Sequence, residues 1–62
     1  MNVIIRYNDS LDLNELKKQC KIKYTNKFAK RIYATTNTSL HFIKLIKGVE
    51  DITQDKTGVF DF

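Results

Sequence analysis

Apolar residues recur at two different spacings along this chain, and the order of those spacings limits the folds open to it. Residues 3 to 7 and two stretches within 22 to 35 alternate apolar with polar side chains, as strands with one buried face do. Residues 13 to 20 and 40 to 46 repeat at three or four positions, as amphipathic helices do. The resulting order is strand, helix, strand, strand, helix, strand.

Local signals place the ends of the first elements. Asp12 and Glu15 have the spacing of a capping box and predict a helix over residues 12 to 19. A hairpin turn is expected at residues 25 to 27, which assigns Phe28 to the strand that follows. Alternation in the hairpin groups Ile22 with Tyr24 on one face and Lys21 with Lys23 on the other.

The second helix is expected to begin at a polar cap and to end at Gly48, because glycine favours the residue just beyond a helix. The candidate caps are Thr36, Asn37 and Thr38. Its buried stripe is expected to contain Leu40, Phe42, Ile43, Leu45 and Ile46. Val49 and Ile52 then begin the last extended segment.

This order predicts an α+β fold of split βαβ (ferredoxin-like) type, in which right-handed crossovers place both helices on one face of a four-stranded antiparallel sheet. The expected domain covers residues 1 to 55, and residues 56 to 62 form an extended C-terminal tail. The other sheet face is the expected partner-binding surface, with candidate residues Ile4, Arg6, Lys23, Arg31 and Tyr33. Alternation alone leaves open which face of the hairpin is uncovered.

The sequence offers little for catalysis or metal binding. Cys20 is the only cysteine and His41 the only histidine among 62 residues, which excludes an internal disulfide and a cysteine-based zinc site. Glu50 and Asp51 are adjacent in an expected strand, where neighbouring side chains point to opposite faces and cannot share a proton. We therefore expect no catalytic residue, no metal and no cofactor.

The charge balance permits an anionic partner. Eleven Lys and Arg against seven Asp and Glu give a net charge of +4 and a pI near 9.4. Single-stranded nucleic acid is therefore an alternative ligand for the basic sheet face, although KRIYATT supplies one aromatic there, Tyr33. No signal-peptide pattern or membrane-length apolar run is present, so the expected location is intracellular or spore-associated if Met1 is the natural start, with no membrane partner.

The final residues are unusually apolar for a chain end. Val59, Phe60 and Phe62 surround Asp61, and residues 56 to 62 fully extended would reach roughly 23 to 25 Å. Such a segment could lie in another protein's cleft and offer its backbone for strand pairing. It could also form a fifth strand or cover the domain's own uncovered face.

Four segments resemble the propeptide domains of subtilisin-type serine proteases, and the apolar tail is the fourth of them. NVIIRYND is similar to the opening strand of that family, KIKYTNKFAKRIYATT to its central hairpin, and TSLHFIKLIKGVEDITQD to its second helix and fourth strand. The resemblance implies an intramolecular chaperone that stays bound to its protease as an inhibitor, with the open sheet face packed on two enzyme helices. It also implies a product-like tail in the substrate cleft, with Phe62 in the primary specificity pocket and Asp61, Phe60 and Val59 in the next three positions.

Overall fold

Six elements form in the computed structural model, which describes residues 1 to 55. They are β1 (Asn2–Tyr7), α1 (Leu13–Gln19), β2 (Lys21–Asn26), β3 (Arg31–Thr35), α2 (Leu40–Lys44) and β4 (Val49–Asp55). Their order is the one that the sequence predicted. The tail predicted for residues 56 to 62 lies outside the described residues.

The four strands make one sheet in the order β2-β3-β1-β4, with every neighbouring pair antiparallel. Each strand-helix-strand unit therefore leaves a gap of one strand, which a strand of the other unit fills. This confirms the α+β fold with a split βαβ order.

The core lies between one sheet face and the two helices. Val3 and Ile5 of β1 are fully buried, while Ile4 between them is only partly covered. The cluster is completed by Leu16, Cys20, Ile32, Ala34, Ile43 and Ile46. Since α1 and α2 contribute to this one cluster, both helices cover the same face of the sheet. Neither helix covers the opposite face of the sheet.

The two helices begin differently. Asp12 caps α1, where its Oδ1 accepts a hydrogen bond from the backbone N–H of Glu15 at 3.2 Å, as the capping pattern predicted. The predicted caps of α2 were wrong, because α2 begins after Ser39. Thr36 is buried, and its hydroxyl donates to the carbonyl of Gln19 at 2.7 Å, tying the chain before α2 to the end of α1.

The predicted hairpin turn was placed too early. Strand β2 continues through Asn26, and the turn occupies residues 27 to 30, so Phe28 lies in the turn rather than in β3. The physical reason is an asparagine turn: Oδ1 of Asn26 accepts from the backbone N–H groups of Phe28 and Ala29 at 3.1 and 3.0 Å.

The second helix is shorter than predicted and ends at Lys44, before Gly48. Phe42 and Leu45 are not part of the buried stripe, since 62% and 70% of their surface is exposed. A helix of little more than one turn can face the sheet with only one side, and Ile43 takes that place. Gly48 lies in the turn that leads into β4.

Candidate functional site

The sheet face opposite the helices is the candidate site, and we call it the open face. The strand registers arrange it in three rows across the sheet. The first row contains Asn26, Arg31, Arg6 and Asp51. The middle row contains Tyr24, Tyr33, Ile4 and Thr53. The last row contains Lys21, Thr35, Asn2 and Asp55.

A β-bulge in β2 decides which hairpin residues reach this face. The register shifts between Ile22, which pairs with Ala34 on the core side, and Tyr24, which pairs with Tyr33. The bulge accommodates one extra residue, so Ile22 and Tyr24 lie on opposite faces although their spacing predicted one face. Lys23 is that extra residue and pairs with no residue of β3.

The bulge creates an aromatic pair on the open face. The ring centroids of Tyr24 and Tyr33 are 5.9 Å apart and the rings are inclined by 41°. Tilted rings at this separation attract each other, beyond the apolar area that they bury. The middle row therefore runs from two aromatic rings on β2 and β3 to the half-buried Ile4 on β1.

Positive and negative side chains of the open face lie on different strands. Arg6 and Arg31 stand side by side in the first row, while Asp51 and Asp55 lie on β4. Arg6 Nε is 3.9 Å from Oε1 of Glu50, but both side chains are about half exposed, so the pair contributes little to stability. A shallow depression of about 240 Å³ lies here, lined by Ile4, Arg6, Arg31, Asp51 and Thr53.

Four of the five sheet residues predicted for this surface come together on it: Ile4, Arg6, Arg31 and Tyr33. Lys23 is exposed and occupies the bulge next to Tyr24, without a partner in β3. Tyr24 also lies on this face, and sequence reasoning missed it because alternation carries no sign of an inserted residue. The predicted cleft residues Val59, Phe60, Asp61 and Phe62 lie outside the described residues.

A second concavity, of about 610 Å³, lies where α1 ends and β2 begins, with Lys17, Lys18 and Lys21 among its lining residues. Cys20 also lines it but is buried, and desolvation raises the pKa of its thiol, although a hydrogen bond with Thr36 acts in the opposite direction. A thiol held in its neutral form is a poor nucleophile. This concavity therefore lacks the activated nucleophile that cysteine chemistry needs.

Within residues 1 to 55, no three His, Cys, Asp or Glu side chains are grouped as a metal ion would require. His41 is exposed, with its ring 5.8 Å from the ring of Phe42. None of the helices in this part of the chain has the length and apolarity needed to cross a membrane.

Comparison of the chain with protein-family models, with curated proteins and with solved structures found no match. The open face brings aromatic rings, an aliphatic side chain and two guanidinium groups together in a shallow, solvent-accessible arrangement. That chemistry suits binding to another macromolecule.

Proposed function

We propose that this domain is the propeptide of a subtilisin-type serine protease, which it helps to fold and then inhibits. The observation that carries the proposal is the uncovered sheet face, with Ile4 and the pair of Tyr24 and Tyr33 across its middle row. The sequence resemblance points to the same face, because in that family it packs on the enzyme.

The energetics of a small domain support a role that depends on a partner. A 62-residue chain buries only about 60% of its unfolded surface, so its core supplies little stability. A partner that covers the middle row would bury tyrosine and isoleucine side chains, and aromatic residues are frequent hot spots of interfaces. Binding to the folded domain alone would raise its apparent stability by mass action.

Inhibition in this proposal requires no chemistry from the domain. The segment from Val59 to Phe62 would lie in the substrate cleft as the product of an earlier cleavage, with Phe62 in the primary pocket. A free product leaves quickly, but one tethered to a docked sheet face leaves slowly, because the whole interface must open first. Catalytic residues belong to the protease.

The first prediction tests the role of the tail. Removing residues 59 to 62 should raise the inhibition constant against subtilisin-type proteases about 100-fold or more, because the cleft contacts are lost. Phe62→Ala should raise it more than Phe60→Ala, since only Phe62 is proposed to fill a closed pocket. The measurement is steady-state inhibition of peptide hydrolysis with a panel of such proteases.

Circular dichroism of each tail variant provides the control, since the domain of residues 1 to 55 should keep its fold. Undiminished inhibition by the shortened chain would contradict the cleft role of the tail. If the full chain inhibited none of the proteases, the proposed function itself would be wrong.

A second candidate function is binding of single-stranded nucleic acid on the same face. The observation that favours it is the tyrosine pair next to Arg6 and Arg31, because bases stack on aromatic rings and phosphates pair with guanidinium groups. The carboxylates of Glu50 and Asp51 beside those arginines oppose it. Fluorescence anisotropy of labelled single-stranded RNA at low salt tests this candidate function. If the anisotropy does not change as the protein is added, nucleic-acid binding is excluded as the function of this face.

A further inference from the structure

The turn between β2 and β3, residues 27 to 30, presents Phe28 with its whole side chain in solvent, at 102% relative exposure. Phe42, the other strongly exposed phenylalanine of the described residues, differs because its ring contacts that of His41 and it is 62% exposed. Single exposed apolar residues are common on protein surfaces, so exposure alone proves nothing. The hydrogen bonds and the ion pair of this turn provide a second observation that favours a binding role for Phe28.

Hydrogen bonds and an ion pair hold the turn on both sides. On one side, Asn26 accepts hydrogen bonds from the N–H groups of Phe28 and Ala29. On the other, Lys30 has a φ of +54°, a conformation uncommon for residues other than glycine. Its carbonyl accepts from the N–H of Tyr7 at 3.0 Å, and its ammonium group pairs with Asp9. Phe28 is thus held in place relative to β1, and little backbone entropy would be lost if it bound a partner.

The stretch of chain that carries Phe28 contains only positive charges, of which Lys30 is paired with Asp9. Residues 16 to 49 contain nine Lys or Arg and no Asp or Glu. Lys27, the first residue of the turn, and Arg31, which follows the turn, form no ion pair with any residue among 1 to 55. A surface that receives Phe28 must therefore accept positive charge as well as an aromatic ring.

The turn also continues the open face. Asn26 pairs with Arg31 and Arg31 with Arg6, so Phe28 lies just beyond the first row. Asp55, the last described residue of the chain, pairs with Asn2 in the last row. These rows are four residue steps apart along β1, a distance of about 14 Å at 3.4 Å per step. Phe28 and Asp55 are therefore at opposite ends of the open face.

We infer that Phe28 is a second anchor on the protease, inserted into an apolar depression bordered by carboxylates and separate from the substrate cleft. This inference rests on the proposed function. Attachment at both ends of the open face makes each contact intramolecular once the other has formed, which raises the effective concentration of the tail at the cleft. Lys27 and Arg31 would pair with the bordering carboxylates.

The experiment measures inhibition constants of full-length variants with a subtilisin-type protease that the unaltered chain inhibits. Phe28→Ala should raise the inhibition constant roughly 10- to 30-fold, as loss of an aromatic hot spot does. The matched control is Phe42→Ala, which removes an exposed phenylalanine from the helical side and should change the constant less than about twofold. Lys27→Glu should weaken inhibition more than Lys44→Glu, and the difference should shrink as salt is added.

Phe28→Ala should keep the thermal unfolding temperature of the parent, because its ring packs against nothing within the described residues. Equal inhibition by Phe28→Ala and the unaltered chain would overturn the second anchor while leaving the proposed function intact. Equal losses in Phe28→Ala and Phe42→Ala would overturn it too, since a general apolar effect would then explain both. Failure of the unaltered chain to inhibit any protease overturns the proposed function and this inference together.

Discussion

Gly48 is the residue whose identity the backbone fixes most strongly. Its φ of +88° belongs to the left-handed region that side chains with a Cβ avoid. A Cβ placed there would be 2.2 Å from Cα and 2.3 Å from N of Leu11, both backbone atoms that cannot move aside. The glycine thus allows the chain before β4 to pass against the loop after β1, where Asn8 N–H donates to the Gly48 carbonyl.

We predict that Gly48→Ala lowers the free energy of unfolding by about 2 kcal/mol or more, since backbone strain and a backbone clash act together. Urea unfolding followed by circular dichroism measures the change. Lys47→Ala is the neighbouring control and should stay within about 0.5 kcal/mol, because its side chain is exposed and only its carbonyl is used by Asp12. Similar losses in both variants would contradict the strained-glycine account.

At the scale of elements, comparing the two helices shows how much a side-chain cap contributes to stability. Asp12 makes its capping hydrogen bond to Glu15 N–H, whereas Ser39 occupies the same position in α2 without one. Asp12→Ala should therefore cost about 1 kcal/mol of stability and Ser39→Ala close to none. Thermal unfolding of the two variants provides the comparison, and a larger loss in Ser39→Ala would show that the capping assignment is wrong.

The strands show where local patterns stop being informative. Alternation placed Val3 and Ile5 in the core correctly, because β1 pairs regularly with β3 on one side. The same argument failed in β2, where one extra residue at Lys23 turned Tyr24 to the open face. A bulge is set by pairing with the neighbouring strand, and a single strand's sequence does not contain that information.

At the scale of the whole molecule, the buried thiol of Cys20 links folding to pH. Desolvation raises its pKa in the folded state, so the folded protein holds this proton more tightly than the unfolded chain. Stability from this group is complete below the unfolded pKa of about 8.5 and is lost as the pH rises through the folded value.

We predict that the free energy of unfolding falls as the pH rises above the unfolded thiol pKa of about 8.5 and that Cys20→Ala reduces this fall. Urea unfolding of both proteins at several pH values measures the change. Parallel pH profiles for the two proteins would show that the thiol is not the linked group.

The sequence by itself determined the order of elements, the α+β class, the start of α1 and the position of Ile4 and Arg6 on the face opposite the buried side of β1. These follow from side-chain periodicity and from hydrogen bonds between residues close in the chain, which local sequence encodes. Tertiary structure alone decided the bulge that pairs Tyr24 with Tyr33 and the exposure of Phe28 in a hydrogen-bonded turn. It also decided the hydrogen bond by which Thr36 joins the chain before α2 to the end of α1. Each of these depends on contacts between residues far apart in sequence, and those contacts are fixed only when the strands pair and the helices pack.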